Sequence, residues 1–133
     1  MIDHTGVSVS DFARSKAFYA RALEPIGYAM VMEVSAEMSG GYEGAGFGVP
    51  PKPDFWIGSG KPNVPPLHVA FRAERRALVD AFYEAAIAAG GRDNGAPGLR
   101  PHYHPDYYGA FVLDPDGHNI EVVCHAAEQL PPG

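Results

Sequence analysis

Cysteine is almost missing from this chain: Cys124 is the only one in 133 residues. A single thiol makes no intrachain disulfide and no zinc knuckle, so any metal has to be held by imidazole and carboxylate groups. Basic residues are scarce too, 10 Lys plus Arg against 16 Asp plus Glu, which leaves a formal net charge of −6 and no basic cluster. Nucleic acid is thereby excluded as a partner, because its binding rests on counterion release by a basic patch. No stretch approaches the roughly 20 consecutive apolar residues of a membrane span. The opening Met1-Ile2-Asp3-His4-Thr5-Gly6 lacks the basic start and apolar run of a secretory leader, and a cytoplasmic protein is expected. What the chain does have is 46% hydrophobic residues, enough for the core of one domain, and six His.

It also repeats itself. Ala17-Phe18-Tyr19 recurs as Ala81-Phe82-Tyr83, an offset of 64 residues, and the same offset carries His4 onto His68, Ala22 onto Ala86, Leu23 onto Ile87 and Gly27 onto Gly91. A single domain over 1–133 made of two similar modules, about 1–61 and 62–128, is the simplest organisation. Each module begins with alternating apolar residues, Thr5, Val7 and Val9 in one and Val69 and Phe71 in the other. Each then passes to helical spacing: from a cap at Ser10 or Asp11 to about Leu23, and from about Arg75 to Ala89. Afterwards the apolar period shortens to two. Strands are expected over 28–34, 46–49 and 55–58, then over 99–103, 109–113 and 119–124, with Asp114-Pro115-Asp116-Gly117 as a hairpin turn. Segments 39–46 and 94–108 read as irregular, and as candidate lids. The expected fold is α+β: two βαβββ modules forming an open, cup-shaped mixed β-sheet with the helices on its outer face.

Alternation divides each strand into two sets of side chains. Thr5, Val7, Val9, Phe55, Ile57, Val69, Phe71, Ile120, Val122 and Cys124 suit the helix-covered face, and Cys124 reads as a core thiol. His4, Gly6, Ser8, Trp56, His68, Ala70, Arg72 and Glu121 fall on the other, where Gly6 and Ala70 leave room beside the His residues. Two His and one Glu are the ligand set of a divalent ion with open coordination positions: Zn, Ni, Co, Mn or Fe. The plain alternative is a pair of hydrogen-bonded sheet histidines with Glu121 paired to Arg72.

At this point the sequence resembles the vicinal oxygen chelate superfamily, which includes glyoxalase I, extradiol dioxygenases, fosfomycin-resistance transferases and bleomycin-binding proteins. The resemblance runs through His4, Asp11-Phe12-Ala13-Arg14-Ser15 leading into Phe18-Tyr19, Leu67-His68-Val69-Ala70-Phe71, and Phe111-Val112-Leu113-Asp114-Pro115-Asp116-Gly117-His118-Asn119-Ile120-Glu121. It implies metal ligands at His4, His68 and Glu121. The family's fourth ligand position falls on Trp56, which binds no metal; the Thr that fosfomycin transferases place after the first His is Gly6, and the acid Tyr of ring-cleaving enzymes is Phe111.

Further residues fill out the candidate site. His102, His104 and Tyr107 either supply a general acid or base over the metal or belong to a rigid surface loop. Trp56 and Phe111 are expected to shape the substrate pocket, with Arg72 or Arg100 as its cation. His118 is expected to stabilise its turn, and His125, two pleats beyond Glu121, lies too far away for the same ion. The resemblance implies an enzyme whose small oxygenated substrate chelates one divalent ion, with Glu121 as ligand and catalytic group. A glyoxalase-like lyase or isomerase comes first and an Fe or Mn dioxygenase second. A metal-independent drug-binding protein is the third reading. A homodimer is expected, with each cup completed within a chain or with modules exchanged between chains.

Overall fold

The computed structural model describes residues 1–128. Strands β1 (Thr5–Val9), β2 (Ala29–Val34), β3 (Gly44–Gly48) and β4 (Phe55–Ser59) form one four-stranded sheet in the order β1-β4-β3-β2. Strands β5 (His68–Arg72), β6 (Arg92–Leu99), β7 (Tyr108–Leu113) and β8 (Asn119–Cys124) repeat it as β5-β8-β7-β6. In each sheet the first strand runs parallel to the fourth and the remaining pairs are antiparallel. The connection between the parallel strands is helical: α1 (Phe12–Ala22) and α3 (Arg76–Ala88).

Asp11 caps α1 by accepting the Arg14 backbone N–H. Phe12, Phe18, Tyr19 and Ala22 of that helix, with Val79, Phe82 and Ala86 of α3, bury their apolar face against Val7, Val9, Phe47, Phe55 and Ile57 of one sheet and Phe71, Val112, Ile120 and Val122 of the other. Burying each of the larger of these side chains contributes on the order of 1.5–3 kcal/mol, so the shared core ties the modules together. Phe55 and Phe71 meet edge to face across the boundary, centroids 5.3 Å apart. Tyr19, fully buried, donates to Asp114 of the second module at 2.6 Å. His118, also fully buried, does more than stabilise its turn: Nδ1 accepts the Leu67 N–H and Nε2 donates to Ser8 O at 3.0 Å.

Two expectations fail. The strand expected over 99–103 instead spans Arg92–Leu99, most of it within the segment read as irregular. It lies at the sheet edge, where Pro97 needs no ladder partner, and register shifts between Asp93 and Gly98 absorb its Gly-rich stretch. Segment 39–46 is likewise partly regular: a short helix, α2 (Ala36–Ser39), ends at Gly40 in the left-handed region (φ 81°), and β3 begins at Gly44. Among the described residues no helix is long and apolar enough to cross a membrane.

Candidate metal centre

Register fixes which side chains share the face away from the core. On the second sheet Ala70, Glu121 and Phe111 form one row, with His68 and Asn119 in the row beside it. His68 Nε2 lies 2.9 Å from Glu121 Oε1. Glu121 is only 2% exposed, a carboxylate burial that requires compensation. Its second oxygen accepts a hydrogen bond from the Tyr107 hydroxyl. Gly109 makes this approach possible, since a Cβ there would stand 3.2 Å from the Tyr107 ring and 3.4 Å from Glu121 Oε2. Burial first, then the bond to Glu121, pushes the Tyr107 hydroxyl well above the usual phenol range, so Tyr107 stays a donor.

His4 stands apart. Its Nδ1 is 2.7 Å from Asp3 Oδ1, and Lys52 donates to the Asp3 carbonyl. The hydrogen bond from His4 and then Lys52 hold the Asp3 carboxyl below its usual range. Engaging Nδ1 fixes the tautomer with the Nε2 lone pair outward, which is how metal-binding imidazoles are commonly oriented. Asp3 is a residue that the sequence reading passed over, and its adjacency to His4 was the available signal. Within the chain, the His118 bridge sets Ser8 beside the start of β5. The neighbours of His4 in the chain, Asp3 and Thr5, line one pocket of about 360 Å³ with His68 and Ala70. Even so, no three His, Cys, Asp or Glu gather at metal-binding distance among the described residues. The candidate donors form two hydrogen-bonded pairs, His68 with Glu121 and His4 with Asp3.

The remaining candidates distribute as follows. Of the three loop residues, Tyr107 alone touches Glu121. His102 packs on the Tyr103 ring at 4.2 Å. His104 accepts the Asp106 N–H at Nδ1, so its Nε2–H donates to His125 Nδ1 at 2.8 Å, tying the loop to the end of β8. Arg100 lies over Phe111, 5.5 Å from the ring centroid, and donates to Ala96 O, while Arg72 is exposed. Glu121 pairs with His68 and Tyr107, not with Arg72. Phe111 sits 6.3 Å from the His68 ring, and Trp56 lies on the first sheet in the row with Gly6 and Gly46. Cys124 is buried.

A sequence profile of the Glyoxalase/Bleomycin resistance protein/Dioxygenase superfamily matches residues 1–122. Among curated proteins none is significantly similar. Solved structures with this fold include a glyoxalase/bleomycin resistance protein from Albidiferax ferrireducens T118, at 27% identity and TM-score 0.69, covering 93% of this chain and 98% of the other. A glyoxalase/bleomycin resistance protein/dioxygenase family enzyme from Burkholderia phytofirmans PsJN superposes with TM-score 0.67 at 19% identity, over 94% and 98% of the two chains. The V278E glyoxalase I mutant from Zea mays matches at 19% identity and TM-score 0.67, over 96% of this chain and 45% of that one.

Proposed function

Because the chain belongs to the Glyoxalase/Bleomycin resistance protein/Dioxygenase superfamily, we propose that it is a divalent-metal-dependent enzyme, a glyoxalase-like lyase or isomerase acting on a small oxygenated substrate. The observation that carries this reading is the buried Glu121 carboxylate, held between the His68 imidazole and the Tyr107 hydroxyl on the face away from the core. Two imidazoles and a carboxylate fit Zn, Ni, Co, Mn or Fe. His68 and Glu121 of one chain would hold the ion together with His4 of a second copy, since no three such groups gather within one chain among the described residues. The protein is then a homodimer with a cup assembled from the first module of one copy and the second module of the other.

When bound, the ion supplies Lewis acidity toward two neighbouring substrate oxygens. The chain's own groups do the rest. Tyr107 restrains Glu121 through one oxygen and leaves the other directed at His68. Asp3 orients His4. Glu121 is the group placed to take or return a proton at a substrate carbon. His102 and His104 serve by shaping the loop that carries Tyr107. Phe111, with Arg100 stacked on it, forms the apolar wall beside His68.

The same His-His-Glu set, loaded with iron, also suits a dioxygenase. Metal analysis followed by two assays tests these readings. Turnover of a hemithioacetal with zinc, nickel or cobalt supports the lyase. Oxygen consumption with a catechol and iron replaces it by the dioxygenase. Failure to bind any of these ions after repletion overturns both in favour of a metal-independent binding protein.

A further inference from the structure

The face of the first sheet away from the core carries Gly6, Trp56 and Gly46 in one row and Ser8, Gly58 and Gly44 in the next. Two aromatic rings use the space that these glycines leave open. A Cβ on Gly46 would stand 2.9 Å from Cε2 and Cζ2 of Trp56. One on Gly44 would be 2.9 Å from Cε1 of Tyr42, and one on Gly58 only 2.3 Å from the Tyr42 hydroxyl oxygen. Both rings thus lie close against the sheet backbone. Beside them, Gly6, Ser8, Gly58 and Asn63 complete a cavity of about 190 Å³. No residue lining it is charged, so an ionic ligand finds no countercharge there. Asn63 Oδ1 is committed to the Ser8 N–H at 2.9 Å, which leaves the Asn63 amide N–H groups and the Ser8 hydroxyl as donors.

We infer that this cavity is a binding site for a flat, uncharged ring bearing an oxygen acceptor, stacked on Trp56 and Tyr42 with its oxygen toward Asn63 and Ser8. Size agrees: at about 190 Å³ this solvent-open pocket has room for a single ring with oxygen substituents, benzene needing roughly 150 Å³. Aromatic faces favour a conjugated ring over a puckered one. The inference deepens the proposed function, naming a substrate class for the same cup, and rests on it only for the connection to catalysis; ring binding itself requires no metal.

The test uses full-length protein freed of metal with a chelator. Trp56 is the only Trp, so intrinsic fluorescence reports from the cavity itself. The probes are catechol and trans-cyclohexane-1,2-diol, which share neighbouring oxygens and differ in the ring. Catechol is expected to give a saturable fluorescence change, and the cyclohexanediol to bind about tenfold more weakly or not at all. Tyr42→Ala should weaken catechol severalfold to about tenfold. Gly58→Ala should do the same while keeping the phenol in the chain, because its methyl displaces the flexible end of Tyr42. Circular dichroism checks that both variants fold. Equal binding of the two probes, no saturable change with catechol, or parental affinity in both variants would overturn the inference. A protein that binds catechol this way yet takes up no metal keeps the ring site and loses the metalloenzyme reading.

Discussion

Gly6, Trp56, Gly46 and Met32 form a row across the first sheet, and Ala70, Glu121, Phe111 and Gly95 form the matching row across the second. The backbones repeat, while the side chains at the fourth strand differ completely: an indole in one module, a buried carboxylate in the other. Around Trp56 the neighbours are glycines and the Tyr42 ring; around Glu121 they are His68, Tyr107 and Phe111. One architecture thus supports an uncharged wall of glycines and aromatic rings and a polar wall of imidazole, carboxylate and phenol, and the asymmetry is set by a handful of residues facing away from a common core.

Breaking the polar wall has the largest expected effect. His68→Ala and Glu121→Gln should each lower affinity for zinc or cobalt by roughly a hundredfold or more, since even partners of metal ligands are worth 10–100-fold. Circular dichroism should remain parental, because His68 is exposed and Gln keeps the shape of the buried Glu121. Metal uptake equal to the parent in both variants would remove the site. Moving the second module's chemistry into the first is the next test. Trp56→Glu should raise metal affinity about tenfold by adding a carboxylate on the His4 side of the cup, measured by chelator competition. It should also abolish catechol binding; unchanged values for both would mean that the two rows do not share a cup.

A smaller effect is expected from Tyr107→Phe, which strips Glu121 Oε2 of its hydroxyl partner while keeping the ring. Metal affinity should fall about tenfold with melting temperature nearly unchanged. A drop as large as that for Glu121→Gln would show that Tyr107 itself is a ligand.

The smallest effect is on alkaline stability, and it belongs to both modules. Tyr19, Tyr28, Tyr107 and Tyr108 have hydroxyls pushed above the ordinary phenol value of 10.0, first by burial and then by a carboxylate partner, Tyr108 to about 12. A raised value in the fold means that the unfolded chain ionises first. The stability these groups contribute is complete below pH 10 and is lost as pH rises toward and beyond 12. The melting temperature should therefore fall across that range, and Tyr108→Phe should make the fall shallower. A flat melting profile over pH 10–12 would contradict the carboxylate contacts.

The asymmetry was partly legible in the sequence. Alternation placed Trp56 and Glu121 on the face away from the helices, and the repeat aligned the modules to within one residue. Asn119–Cys124 is a strand with the expected bounds because its apolar period is uninterrupted. The edge strand Arg92–Leu99 was hidden, since its glycines and proline look like a loop until a neighbour supplies the ladder. The packing of Tyr42 was hidden for a related reason. A glycine in a strand reads as weakness, and only the folded register reveals that Gly44 and Gly58 make room for one ring. Pairing of His104 with His125 across a loop and a strand end also lies beyond any local pattern.

The most direct measurement of the central claim, a metal centre shared between two copies, is complementation. His4→Ala and Glu121→Gln chains are made separately and co-expressed, and bound metal is counted after repletion with zinc. Each variant alone should hold almost none. Random pairing makes half of the dimers mixed, and each mixed dimer has one intact set, so the co-expressed protein should recover about one quarter of the parental metal. No recovery in the mixture, or a His4→Ala protein that binds metal as the parent does, would contradict a centre built from His4 of one copy with His68 and Glu121 of the other.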